Sequence, residues 1–382
     1  MQKIEFNMNV GIEAQRIFRG KRHGMDIVIL EALRAMQELD HQENINVFVQ
    51  PDEDVSLKSS KNLSIHEIGP ANYAYWEQFL LPKAIRESGV DLLHTTSNTA
   101  PVKLKIPLVV TIHDVIYLEN LMLDKGTWYQ RLGNLYRRWN VPAIAKKAQK
   151  IITVSDYENE RIQHYLKIPA QSIVTIYNAC SQHFFTNYSS SEITDFLQNQ
   201  GLPERFVLYL GNTDPKKNLG NVLKALKLIK DWGKLDFKLV MPDLGETYLQ
   251  SELKKQSSSD IRPFIHLTGY IPNQKLPFLY QGALCFLYPS LRESFGIPML
   301  EAMASSCPLI CSNTSAMPEI AQNAAYYVDP LNAKEIAHGI LNMISNSSER
   351  ETLIANGIKR VSEFSWQKTA EKMLKVYKNE VI

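Results

Sequence analysis

The sequence predicts an α/β protein made of two doubly wound domains, each a parallel sheet with crossover helices, facing each other across a central cleft. Three observations lead there. At 382 residues the chain is longer than one hydrophobic core usually serves. Short apolar runs alternate with longer stretches of helical period. The polar stretch Thr186 to Gly201, with Ser189-Ser190-Ser191, reads as a linker between the halves.

In the first half the expected strands are Lys3 to Ile12, Ile45 to Gln50, Leu92 to His94, Leu108 to Ile112, Ile151 to Val154 and Val174 to Tyr177. Met25 to Leu39, Tyr75 to Arg86 and Tyr129 to Ala148 carry the period of helices between them. In the second half Phe206 to Leu210, Phe237 to Met241, Ile265 to Thr268, Cys285 to Tyr288, Leu309 to Cys311 and Ala325 to Val328 are expected strands. Leu219 to Trp232, Leu276 to Gln281, Pro298 to Ala304, Ala333 to Ser345 and a closing Ser365 to Lys378 are expected helices. In such sheets ligands belong at the C-terminal ends of the strands.

Composition narrows the function classes. With 45% apolar and 21% charged residues and a net charge of +2, nothing favours nucleic acid or acidic partners. No apolar run is long enough to span a bilayer, and Met1 to Phe6 does not read as a signal peptide, so a cytoplasmic protein is expected. Cys180, Cys285, Cys307 and Cys311 lack paired spacing and lie in apolar contexts, which predicts buried free thiols and no zinc site.

The run Glu293-Ser294-Phe295-Gly296-Ile297-Pro298-Met299-Leu300-Glu301 is the strongest chemical signal. A loop of small residues opening a helix presents free N–H groups and the positive end of a helix dipole, a seat for a diphosphate. Glu293 on the loop can accept hydrogen bonds from sugar hydroxyls, and Glu301, about two turns into the helix, from a ribose. On spacing alone, a solvated Glu on the loop and a first-turn Glu favoured by the dipole are the stronger reading.

The neighbouring segments decide the matter. Thr268-Gly269-Tyr270-Ile271-Pro272 and Ala283 to Ser290 precede that run, and Met317-Pro318-Glu319-Ile320 follows it. Gly211-Asn212-Thr213-Asp214-Pro215-Lys216-Lys217-Asn218, Thr111-Ile112-His113-Asp114, Ile152 to Asp156, Ile176 to Ala179 and Phe364-Ser365-Trp366 complete the set. In order and spacing the chain resembles the retaining glycosyltransferases of family four, with the GT-B fold, from about Gly11 to Trp366. The resemblance implies an acceptor-side Rossmann-like domain at 1–188, to which a helix at 365–382 returns, and a donor-binding one at 200–364. It implies that Tyr270, Ile271, Asn212, Ser294, Phe295, Gly296 and Glu301 bind a nucleotide-sugar, and that Glu293, His113 and Lys217 carry catalysis.

Lys217 follows a strand and a turn, where an ammonium can meet the charge of a leaving nucleoside diphosphate; a surface lysine is the plainer alternative. Many family members carry Arg directly after the loop glycine. This chain has Asn212, which leaves Lys217, Lys216 or the backbone to compensate. His113 follows the apolar strand Leu108 to Ile112 and is either a satisfied core histidine or, as the resemblance implies, a contact of the transferred sugar. Arg19, Gly20 and Gly24 flank a basic, glycine-containing turn before a helix, which the resemblance places on the acceptor side. Between Asp124 and Lys150, Lys125, Arg131, Arg137, Arg138, Lys146, Lys147 and Lys150 accompany Trp128, Tyr129, Tyr136 and Trp139. That segment is a solvated helix face or a surface for an anionic membrane.

The implied activity is metal-independent, retaining transfer of a hexose to a glycan or lipid-linked acceptor in cell-surface polysaccharide assembly, with mannose from GDP-mannose as the expected donor. Peripheral association with the inner face of the membrane goes with a lipid-linked acceptor. No cofactor beyond the donor is expected. A GT-B nucleotide-sugar epimerase and a non-catalytic sugar-nucleotide-binding protein are the alternatives.

Overall fold

The computed structural model describes residues 8–20, 24–119 and 128–380, as backbone only at 128–131 and 380. The chain divides into two compact units, Met1–Asn178 with Ser365–Ile382, and Ala179–Phe364. The boundary lies before the expected linker. Residues 186–201 instead contain the helix Ser190–Asn199 of the second unit. Its N-terminus is closed reciprocally: the Glu192 amide donates to the Ser189 hydroxyl, and the Ser189 amide donates to the Glu192 carboxylate.

Unit 1 is built on a parallel sheet of β1 (Asn9–Glu13), β2 (Asn44–Val49), β3 (Leu63–Glu67), β4 (Leu92–Thr95), β5 (Leu108–Thr111), β6 (Lys150–Thr153) and β7 (Ile173–Thr175), in the order β3-β2-β1-β4-β5-β6-β7. β4 and β5 are buried throughout, which is why they read as unbroken apolar runs. β3 was not expected. Its sequence Leu-Ser-Ile-His-Glu is half polar because it is the sheet edge and is covered on one side only. The first expected strand is described from Asn9, and residues 1–7 lie outside the described residues.

The expected helix 75–86 is three pieces. Tyr73–Tyr75 is α-helical, Trp76–Leu80 widens into a π-turn, and Leu81–Ser88 resumes the α-helix, ending on Gly89 in the left-handed region. The closing helix Trp366–Glu380 packs Ala370, Met373, Leu374, Val376 and Tyr377 into the β1–β2 core of unit 1. Asp156–Leu166, Glu246–Lys255, Met317–Ala321 and Ser347–Val361 are further helices that periodicity did not reveal.

Unit 2 carries β8 (Phe206–Leu208), β9 (Lys238–Met241), β10 (Ile265–Leu267), β11 (Cys285–Tyr288), β12 (Leu309–Ser312) and β13 (Ala325–Val328), all parallel, in the order β10-β9-β8-β11-β12-β13. In both sheets the chain starts near the middle and reverses direction once. The switch points fall between β1 and β4 and between β8 and β11. The crevice beyond the strand ends opens there. The four cysteines are buried and unpaired. Among the described residues no helix is long and apolar enough to cross a membrane.

Candidate functional site

The switch point of unit 2 brings together the two loops singled out in the sequence. The loop after β8 holds Gly211 to Asn218, and the loop after β11 holds Pro289 to Gly296. They are tied at the backbone, where the Leu291 amide donates to the Lys216 carbonyl at 2.7 Å. Asn218 fastens them further. Its side-chain amide donates to the carbonyls of Pro289 at 2.9 Å and Pro330 at 2.7 Å. Asn218 has φ of 67°, a left-handed conformation that Asn tolerates better than most residues.

Lys217 and Glu293, 76 positions apart in sequence, meet at 2.7 Å between Nζ and Oε1. The Lys217 ammonium also donates to the Tyr288 hydroxyl at 3.2 Å, and the Tyr209 hydroxyl donates to the Lys217 carbonyl. Glu293 is nearly buried, and its amide donates to the Ser315 hydroxyl. Burial alone would raise its carboxyl. The Lys217 and Lys216 ammoniums and the Lys217 hydrogen bond outweigh burial and hold it below the usual carboxylate range. Lys216 is therefore a second positive charge acting at this site. Asn212 itself is exposed, and its side-chain oxygen accepts from the Asp214 amide, shaping the turn.

Two glycines are dictated by geometry. A Cβ on Gly211 would lie 2.1 Å from the Tyr209 ring, and Gly296 has φ of 96° with Met299 2.7 Å from where its Cβ would stand. Gly296 precedes the helix Ile297–Ala304, which Ser294 and Phe295 lead into. Glu301 lies inside that helix, buried, and accepts from the Tyr280 hydroxyl at 2.9 Å. Burial pushes its carboxyl up to about 7, against the opposing effect of the Tyr280 hydrogen bond. Tyr270 is exposed and Ile271 buried, in the loop after β10. Tyr209, Tyr280 and Ser315 escaped sequence reasoning, whereas Asn218 and Tyr288 were read only as members of their motifs, with no individual role.

In unit 1, His113 follows β5, and the loop after β4 meets it. His113 is buried. Its Nε2 bonds to the Thr96 carbonyl at 2.9 Å, and its amide donates to the Asn98 side-chain oxygen at 2.6 Å. A carbonyl only accepts, so Nε2 carries the proton and Nδ1 keeps its lone pair. Burial lowers the imidazole's affinity for a second proton, despite the opposing Thr96 bond and Asp114 charge. His94 is structural. It is fully buried, bonded to the Tyr377 and Thr111 hydroxyls at 2.7 Å each, and pushed down to about 3 by burial and by His113.

Arg19 and Gly20 end the turn after β1, and Gly24 opens the helix Gly24–Glu38; residues 21–23 between them lie outside the described residues. A Cβ at Gly20 or Gly24 would meet no close atom, so packing does not explain these glycines. Of the basic and aromatic segment, Lys125 and the side chains of Trp128, Tyr129 and Arg131 lie outside the described residues. Arg137 and Arg138 are half-buried, and both act electrostatically on buried Tyr117. Among the described side chains of the helix Trp128–Ala145, the exposed ones are apolar: Leu132, Leu135 and Trp139. Tyr75 and Phe79, stacked on each other, are exposed on the segment 73–80.

Two family models match the chain. Residues 190–360 match "Glycosyl transferases group 1" and residues 22–181 match "Glycosyltransferase Family 4". The O-antigen chain mannosyltransferase B of Escherichia coli is 32% identical over 60% of this chain and 61% of its own length. The match thus spans less than two thirds of that relative. The O-antigen chain mannosyltransferase RfbU of Salmonella typhimurium is 26% identical over 84% of this chain and 82% of its own. Among solved structures, Anabaena HepE in complex with UDP and glucose superposes with a TM-score of 0.75, at 16% identity, over 97% of this chain and all of that one. With both halves of the chain matched and the two parallel sheets superposing on a GT-B structure, the chain belongs to the family four glycosyltransferases of the GT-B fold.

Proposed function

We propose that this glycosyltransferase moves a mannosyl residue from GDP-mannose to a glycan or lipid-linked acceptor in cell-surface polysaccharide assembly, with retention of configuration and without a metal ion. The observation that carries the reading is the Lys217–Glu293 pair at the switch point of unit 2, beside the N-terminus of Ile297–Ala304. Positive charge and a helix dipole converge there, which is where a departing diphosphate needs them. The names of the bacterial relatives support mannose and polysaccharide.

In the reaction the bond from the sugar's anomeric carbon to the diphosphate oxygen breaks, and its electron pair leaves with the nucleotide. Lys217, with Lys216 nearby and the loop amides of Phe295 and Gly296, stabilises that charge. The acceptor hydroxyl oxygen bonds to the anomeric carbon from the same face, and its proton passes to the departing diphosphate. Glu293, kept ionised by its lysine neighbours, accepts from sugar hydroxyls. Glu301 accepts from the ribose, and Asn212, Ser294, Tyr270 and Ile271 complete the nucleotide contacts. In unit 1, the Nδ1 lone pair of His113 accepts from a hydroxyl of the transferred sugar, and Arg19, Gly20 and Gly24 meet the acceptor.

A lipid-linked acceptor goes with peripheral binding at the inner face of the membrane. Exposed Tyr75, Phe79, Leu132, Leu135 and Trp139, with exposed Lys83, Arg86, Lys146 and Lys147 on the same segments, support that reading. The deciding assay incubates the purified chain with labelled GDP-mannose and lipid extract, with and without EDTA. Label is expected in the lipid fraction under both conditions. Label recovered only as an isomerised sugar nucleotide would assign an epimerase, and loss on chelation with recovery on adding manganese would overturn metal independence.

A further inference from the structure

Glu77 is 1% exposed and has been given no role so far, although it lies on the segment that exposes Tyr75 and Phe79. The π-turn Trp76–Leu80 rotates it inward while Tyr75 and Phe79, on either side, stay exposed. Among the described residues no cation pairs with it. Its carboxylate is held by neutral donors: the Thr99 hydroxyl at 2.5 Å, the Tyr136 hydroxyl at 2.5 Å and the Gln78 amide at 2.8 Å. Burial raises its carboxyl above the usual range, partly offset by the Thr99 and Tyr136 bonds. A buried carboxylate without a counter-charge is costly, and apolar residues of the same volume commonly serve stability as well or better. Its partners point to another use.

Each partner leads to the turn 96–100. The Tyr73 hydroxyl bonds to Thr99 Oγ1 at 2.6 Å, and since that hydroxyl's own proton goes to Glu77, the proton here comes from Tyr73. The Gln78 and Asn140 amides donate to the Ala100 carbonyl, both at 2.9 Å, and the Ala100 amide donates back to Asn140 at 3.1 Å. At the other end of the turn, the Thr96 hydroxyl donates to the Glu13 carbonyl at 2.7 Å. Between these anchors stand the two groups that fix His113: the Thr96 carbonyl on Nε2 and the Asn98 side chain on the amide. Asn98 has φ of 69°, a left-handed conformation that Asn tolerates better than most residues.

We infer that Glu77 is a positioning residue for His113: through Thr99 it holds the turn 96–100, whose Thr96 and Asn98 orient the imidazole and leave its Nδ1 lone pair free. This rests on the proposed role of His113 at the transferred sugar. The tests are Glu77→Gln, which keeps the shape but cannot accept from three donors, Thr99→Val, which removes only the hydroxyl, and Thr99→Ser, which restores it. Ring nitrogens of His113, assigned with His113→Ala in the full chain labelled with ¹⁵N-histidine, are expected to shift in Glu77→Gln and Thr99→Val and to match the parent in Thr99→Ser. With GDP-mannose, kcat is expected to fall about tenfold in the first two variants, with KM for the donor unchanged and Thr99→Ser within twofold of the parent. The double variant should lose no more than either single one, because both act through one link. His113 resonances that superimpose on the parent's in folded Glu77→Gln and Thr99→Val would overturn the inference. If His113→Ala leaves turnover intact, the reading of His113 falls, while the ring shifts still decide whether Glu77 positions it.

Discussion

Lys217 and Glu293 in unit 2 hold each other directly, an ion pair between two short loops that share backbone and Asn218 bonds. Among the described residues, His113 in unit 1 makes no hydrogen bond to a charged group and is held instead through a turn whose anchors come from β1, the π-turn and the helix Trp128–Ala145. In the proposed reaction the first arrangement concentrates charge where the leaving diphosphate would gather it. The second uses layers of hydrogen bonds, with no ion pair among those described, to set the angle of one ring. A charge acts over distance and tolerates small displacement, whereas a lone pair must point at its donor.

That contrast is broken most strongly at the pair. Lys217→Ala and Glu293→Gln are each expected to lower kcat by about 10²- to 10³-fold, the loss typical when one electrostatic donor is taken from a charge-stabilising site. Stability separates the two roles of the pair. Lys217→Ala leaves a nearly buried carboxylate without its counter-charge and should cost roughly 3 kcal/mol, read as a lower Tm. Lys217→Met with Glu293→Gln should recover much of that Tm and none of the turnover. Turnover that returns with Tm would reduce the pair to a structural bridge.

How much of this was legible in the sequence follows from the same contrast. The buried strands β4, β5, β8 and β11 read correctly because both faces are covered, so they needed nothing but apolar residues. β3 did not, since an edge strand carries polar residues on one face, and Ser190–Asn199 did not, since a surface helix rich in Ser, Thr and Asp looks like a linker. Its start was legible all the same in the Ser189 and Glu192 spacing. Lys217 and Glu293 were legible as members of two motifs, but nothing in the chain said that they meet. The supports of His113 were invisible because Glu13, Glu77, Thr99 and Asn140 become neighbours only through the order of the strands.

Glu301 gives the next test, smaller and specific to the nucleotide. Its carboxyl is raised to about 7 by burial, so the folded chain holds a proton there that the unfolded chain, with an ordinary glutamate, releases at lower pH. Its contribution to stability is therefore complete at low pH and fades as pH rises through about 7. For the proposed nucleotide contact the dependence runs the other way, since a ribose hydroxyl would donate to the ionised form. Affinity for GDP should rise about tenfold from pH 6 to pH 8, as the ionised fraction does for such a group, and Glu301→Gln should flatten the rise. Calorimetric titration of both proteins at the two pH values measures it. Equal slopes would remove Glu301 from the nucleotide site.

The smallest effects are expected at the surface, where the structure changes which residues should be tested. Arg137 and Arg138 are half-buried beside Tyr117, so replacing them would disturb unit 1 as well as any membrane contact. Trp139 and Phe79 are exposed rings, and Lys146 is an exposed cation just past the end of the helix that carries Trp139. Burying about 40 Å² more of either ring in lipid is worth about 1 kcal/mol, and each cation near an anionic surface contributes about as much. Trp139→Ser, Phe79→Ser and Lys146→Gln should then each weaken cosedimentation with phosphatidylserine-containing vesicles about fivefold. Only Lys146→Gln should lose its effect as salt rises, because screening acts over about 8 Å at physiological ionic strength and does not touch apolar contact. Turnover with a soluble acceptor should stay level in all three, since all three side chains are exposed. Equal binding to neutral and anionic vesicles, unaffected by these changes, would make the exposed rings ordinary surface residues and move the acceptor from a lipid carrier to a soluble glycan.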